Sequence, residues 1–262
     1  MIKYIKLLRY EFKNLVRDKM TLVMLVYPLM LMLIGAYVIP AVVDRFGDGD
    51  AAQRTASLFI IVVFAAIAPF IGSVLLGFSL LDNRDENTLD TIRVTPISLR
   101  GYVVFKSIYA YILGVNGAFW ILYGTRLLSG DGYVVMGQDL FEPFTIGVVL
   151  TYALISSLFT PVFALFLAAV AKNKIEGFAY MKATGMIILV PVLVVLEPLH
   201  DWKQYFLGIM PTFWPIKGML VQTDLLGHAD DLPLIGYSVI GILFNVCLIV
   251  FMYKIFERKV SS

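Results

Sequence analysis

Six long apolar runs, parted by short polar stretches, leave this chain few folds to choose from. A helix needs about 20 mostly apolar residues to cross the hydrocarbon core, where each backbone polar group must be satisfied within its own segment. The runs are 22–43, 58–81, 102–128, 144–171, 178–196 and 234–253. Pro28, Pro69 and Pro161 fall inside them, which packed membrane helices tolerate when neighbours re-satisfy the backbone. The chain is 60% hydrophobic and only 15% charged, against roughly 25% charged for a soluble domain. The expected fold is an all-α polytopic membrane protein, a single transmembrane domain over residues 1–262.

Lysine and arginine set the expected orientation. With the N-terminus inside, 16 of the 21 basic residues face inward. Arg45, Arg54, Arg126, Lys203 and Lys217 remain outside. Eight of the 19 acids are inward, leaving the inner face near +8 and the outer face near −6. Both termini are then cytoplasmic. Residues 1–20 are not a span: Ile5, Leu8, Phe12 and Leu15 recur at helical spacing between Lys6, Arg9, Lys13 and Arg17. That pattern predicts an amphipathic helix on the inner leaflet, in contact with membrane lipid. No short apolar core followed by a small-residue cleavage site marks a signal peptide. The outer segment 197–233 is too apolar around Leu207–Pro215 for a solvated loop. It reads as short helices re-entering the outer leaflet, with Trp202, Tyr205 and Trp214 at headgroup depth. Arg126 and Lys182 are expected to snorkel to the outer and inner headgroups.

Much chemistry is excluded by what is missing. The single cysteine, Cys247, allows no internal disulfide, and His200 and His228 lack companions at ligand spacing, so no metal site is expected. A net charge of +2 gives no footprint for nucleic acid. There is no Gly-x-x-x-x-Gly-Lys-Ser/Thr loop to hold ATP phosphates, and no His-Glu-x-x-His or Gly-x-Ser-x-Gly. The chain is not expected to be an enzyme. Its span centres hold almost no ionisable groups, which argues against proton- or ion-coupled transport.

One charged stretch, 82–98, interrupts the apolar pattern between the second and third runs, on the inner side. Asp82 and Asp85 suit a helix N-terminus, where carboxylates meet unsatisfied backbone donors. Thr88, Leu89, Ile92 and Arg93 share one face at helical spacing. Pro96 ends that helix and Ser98 caps the third run. A short helix with an apolar ridge and flanking charges suits a groove on a cytoplasmic partner. The run Glu86-Asn87-Thr88-Leu89-Asp90-Thr91-Ile92-Arg93-Val94-Thr95-Pro96-Ile97-Ser98, followed by Tyr102 and Lys106, resembles the coupling region of type-2 ATP-binding-cassette (ABC) exporter permeases. The likeness extends over the N-terminal amphipathic helix, the six spans and the apolar outer segment. Asn87 departs from the glycine common there, although asparagine also tolerates left-handed backbone.

The resemblance implies a permease subunit of an ABC exporter, paired with a second copy of itself or a similar permease. A separate cytoplasmic ATPase subunit would bind ATP and magnesium, and this chain no cofactor. Glu86, Thr88, Leu89, Ile92 and Arg93 would contact that ATPase. A prokaryotic plasma membrane is expected on the same ground. For the substrate path, aromatic spans two and three and two intramembrane amides nominate Phe70, Asn116, Phe119, Trp120 and Asn245, an interior suited to a hydrophobic or amphiphilic compound. The competing readings are a membrane anchor or assembly subunit that transports nothing, and a secondary transporter.

Overall fold

The computed structural model of the chain describes residues 19–46, 49–86, 98–199, 201–225 and 232–261. The expected interfacial helix, up to residue 18, and residues 87–97 of the charged stretch lie outside them. The described chain is helical apart from one two-stranded hairpin. In order it forms α1 (Lys19–Leu33), a π turn (Ile34–Val38), α2 (Ile39–Phe46), α3 (Asp50–Asp85) and α4 (Leu99–Phe119). A second π turn (Trp120–Gly124) and α5 (Thr125–Leu128) follow, then β1 (Val134–Val135) and β2 (Gln138–Asp139). The remainder is α6 (Ile146–Ser156), α7 (Phe159–Val170), α8 (Lys174–Ile187), 3-10 helices over Val190–Val195, Glu197–Leu199 and Trp202–Ile209, α9 (Phe213–Gln222) and α10 (Leu234–Ser261).

Six helical stretches are long and apolar enough to cross a membrane: Val26–Arg45, Asp50–Asp85, Leu99–Leu128, Ile146–Val170, Lys174–Val195 and Leu234–Lys259. The chain is an all-α polytopic membrane protein. The fourth span is 78% buried over its apolar window and the second 61%, against 22% for the sixth. The bundle is therefore built around α3 and α7, with α4 and α10 packed on them. Gly77 of α3 lets Leu167 of α7 approach so closely that a methyl there would sit 2.8 Å from its Cδ2.

Two differences from the sequence pattern have local causes. The polar stretch before the second apolar run is mostly helix, because α3 starts at Asp50 behind a Gly49 with φ +93°. An aspartate in the first turn meets the free backbone donors there. At its other end, α3 continues unbroken to Asp85. Asp82 and Asp85 therefore close a helix where the sequence suggested that they open one, since no glycine or proline follows Gly77 within α3.

Proline shapes the first and second spans. Pro69 has no N–H, so the Ala65 carbonyl in the preceding turn loses its helical donor. The Tyr152 hydroxyl, from α6, donates to it instead. The Pro69 carbonyl accepts from Ser73 Oγ at 2.9 Å and Thr160 Oγ1 at 3.1 Å. In the first π turn, the Ile39 N–H bonds the Ile34 carbonyl, five residues back. The next donor in that register is Pro40, which has none, and the Tyr133 hydroxyl takes up the Gly35 carbonyl at 2.7 Å.

Tyr133 belongs to the segment that plugs one end of the bundle. Met136 and Gly137, both at positive φ (56° and 75°), form the tight turn between β1 and β2. Tyr133, Leu140, Phe141 and Phe144 are buried beneath it. Arg126 donates from Nη1 to the Phe144 carbonyl at 2.9 Å and lies over the Tyr123 ring. Its guanidinium ties this segment down, where the sequence had suggested a side chain reaching for headgroups.

Candidate coupling end and substrate cleft

At the end of α3, a set of polar side chains grips the turn between α7 and α8. Arg84 donates from Nη1 to the Ala168 carbonyl at 2.7 Å, and from Nη2 to those of Ala171 at 2.5 Å and Lys172 at 3.0 Å. These are the orphan carbonyls at a helix C-terminus, where a cation is favoured. Asp82 pairs with Lys174 at 2.9 Å, and Asn83 donates to the Tyr102 hydroxyl at 2.8 Å. On the α8 side, Asn173 caps the helix through the Glu176 N–H, and Glu176 accepts from the Lys172 N–H. Ser98 caps α4 through the Gly101 N–H at 3.1 Å. The charged stretch thus leaves α3 and rejoins α4 from two fixed points. Glu86 follows α3 and is exposed, while Thr88, Leu89, Ile92 and Arg93 lie outside the described residues.

The five residues nominated for the path do not converge. Asn116 and Trp120 stand on successive turns of the third span, and both line a cleft of about 170 Å³ between α1, α3 and α4. Phe119 does not line the cleft; it stacks on Tyr123, ring centres 5.1 Å apart, and meets the Trp120 ring edge to face at 5.6 Å. Phe70 packs against Phe163 at 4.9 Å. Asn245 is fully buried and donates from Nδ2 to the carbonyls of Gly241 at 2.9 Å and Pro211 at 3.3 Å. It joins α10 to the turn before α9.

Sequence reasoning passed over the small residues that make the cleft. Gly72 brings α3 against α4, where a methyl would lie 3.1 Å from the Ala110 carbonyl oxygen. Gly117 faces Pro28 of α1, again without room to spare. The remaining walls are Leu29, Ala68, Ile71, Leu75 and Leu113. Gly72 and Gly117 were visible in the sequence as small residues inside long apolar helices, but which helices they face was not.

Comparison with known proteins agrees with this architecture. A sequence model of the family described as fluoroquinolones export permease protein Rv2686c-like matches residues 11–253. Two curated relatives come from Mycobacterium tuberculosis: fluoroquinolones export permease protein Rv2686c, of strain ATCC 25618 / H37Rv, and fluoroquinolones export permease protein MT2760, of strain CDC 1551 / Oshkosh. Each is 25% identical over 189 residues, covering 72% of this chain and 67% of the relative. Six membrane-crossing helices together with these matches define the permease subunit of an ABC exporter. The chain belongs to the fluoroquinolones export permease Rv2686c-like family.

Proposed function

We propose that this permease moves an aromatic amphiphile outward across a prokaryotic plasma membrane, driven by a separate cytoplasmic ATPase that docks on residues 86–98. In this reading both termini are cytoplasmic, and the permease works with a second copy of itself or a similar chain. ATP and magnesium are held by the ATPase. Glu86, Thr88, Leu89, Ile92 and Arg93 form the docking face. The substrate class follows the printed names of the relatives, which are fluoroquinolones exporters.

The observation that carries the reading is the Arg84 grip. A force delivered to the end of α3 passes directly to the α7–α8 turn, because three hydrogen bonds join Arg84 to that turn. Motion of a docked ATPase would therefore tilt the fourth and fifth spans together. The test pairs Leu89→Asp with Ile92→Asp. Membrane insertion should be unchanged, while recovery of a phosphate-loop ATPase from native membranes and substrate-stimulated ATP hydrolysis should both be lost. Coupling that survives the double substitution would overturn the assignment.

A further inference from the structure

We infer that the cleft between α1, α3 and α4 is a binding site, reached from the bilayer, for one ring of a flat aromatic amphiphile bearing a hydrogen-bond donor and an acceptor. This deepens the exporter reading and rests on it for the direction of transport, though not for binding itself.

Three features of the cleft point to such a ligand. Its size comes first: at about 170 Å³ it compares with an engineered cavity of about 150 Å³ that binds benzene. One ring fits, and the rest of a larger molecule must extend out of the cleft. Outside, Ile108 and Ile112 of the same helix as Asn116 are exposed and apolar, as suits a hydrocarbon surface.

The second feature is a pair of unmet polar groups. Asn116 lies near the middle of the third span. Its Nδ2 donates to the Ile112 carbonyl at 2.9 Å, and among the described residues its Oδ1 accepts nothing. One turn further, the Trp120 indole N–H has no acceptor among the described residues, and the residue is 44% exposed. An amide oxygen and an indole N–H left unpaired in hydrocarbon are costly. A lipid tail would fill the apolar walls and leave both unmet. A ring with its own donor and acceptor meets both.

The third feature is the backbone. Trp120 begins a π turn, and such single turns widen a helix and re-aim its side chains, often at functional sites. Together these features give an aromatic wall, an acceptor and a donor, arranged along the third span beside a floor lowered by Gly72 and Gly117.

The test uses the full chain in lipid nanodiscs, without nucleotide or ATPase, with binding to empty nanodiscs subtracted. Three probes separate the contributions: 4-quinolone, with a ring N–H and a carbonyl; N-methyl-4-quinolone, with the carbonyl alone; and naphthalene, with neither. Affinity should fall in that order. Asn116→Leu should weaken 4-quinolone about tenfold, as for one hydrogen bond, and leave the N-methyl probe unchanged. Trp120→Phe should weaken both quinolones by a similar factor and spare naphthalene. Leu75→Trp, which fills the cleft, should abolish binding of all three.

Equal binding of naphthalene and 4-quinolone, indifferent to both polar substitutions, would overturn the inference in favour of a lipid-tail groove. Binding that persists in Leu75→Trp would place the ring elsewhere. Asn116→Cys chains that cross-link to one another while the unmodified chain binds no probe would give the cleft to a second copy. Should Leu75→Trp fail to fold, the Asn116 and Trp120 substitutions still decide the matter, since both side chains sit at the surface of the bundle. Failure of an ATPase to co-purify would sink the exporter reading and leave these affinities untouched.

Discussion

Tyr152 and Tyr133 do the same work at two places: each donates its hydroxyl to a carbonyl that a proline has orphaned. Neither carbonyl has another route to satisfaction inside a packed helix, so Tyr152→Phe should cost about 1–3 kcal/mol. The measurement is unfolding in detergent or denaturant against the unmodified chain, and a change within error would show that the helix relaxes around the gap. Tyr133 adds a pH signature. Burial pushes its phenol above the ordinary value, so the fold favours the neutral form. Its stabilisation is complete below the unfolded value of about 10 and is lost as pH rises beyond it, because the unfolded chain then binds fewer protons. Tyr133→Phe should lower stability near neutral pH and flatten that alkaline decline in a thermal-melting series. Pro69 was plain in the sequence as a proline whose helix needs neighbours to re-satisfy its backbone, and Pro40 was not singled out. The tyrosines were not legible as their partners, because 87 and 98 residues separate donor from acceptor and no local pattern links them.

At the scale of elements, the third span holds the clearest lesson. Asn116 and Trp120 share a face because residues four apart on a helix are neighbours, so their meeting was readable. Phe119, adjacent to Trp120 in sequence, stays outside the cleft, yet its ring meets the Trp120 ring in a T-shaped contact 5.6 Å between centres. Phe70 and Asn245 depended on which helices pack together, and that is fixed by close approaches such as Gly72 against α4 and Gly77 against Leu167. The start of the charged stretch misled differently. Acidic residues stand near both ends of α3, and only the unbroken helix identifies Asp82 and Asp85 as its finish. Arg84, which the sequence presented as one charge among several, holds the α7–α8 turn. Arg84→Gln should retain ATPase docking, reduce substrate-stimulated hydrolysis several-fold and leave basal hydrolysis intact. A loss of docking as well would show that Arg84 shapes the docking face itself.

For the whole molecule, the number of spans was legible because length and hydropathy alone decide it. Which spans occupy the centre was not, since the sixth is as apolar as the fourth and is buried far less. One buried charge adds a history to this arrangement. Lys106 sits within the third span, 4% exposed, with its amine 2.6 Å from Ser79 Oγ on α3 and over the Tyr102 ring. A lysine at a helix centre costs up to about 3 kcal/mol at insertion, and less toward the end. The third span is the least apolar of the six and meets Ser79 only once the second lies beside it. During synthesis these two spans should therefore enter the bilayer as a hairpin. In a glycosylation-mapping assay, the third span should insert poorly alone, well behind the second, and well alone once Lys106→Leu is made. The chain's birth order, second helix before third, would then be what gives this buried lysine its hydrogen-bond partner.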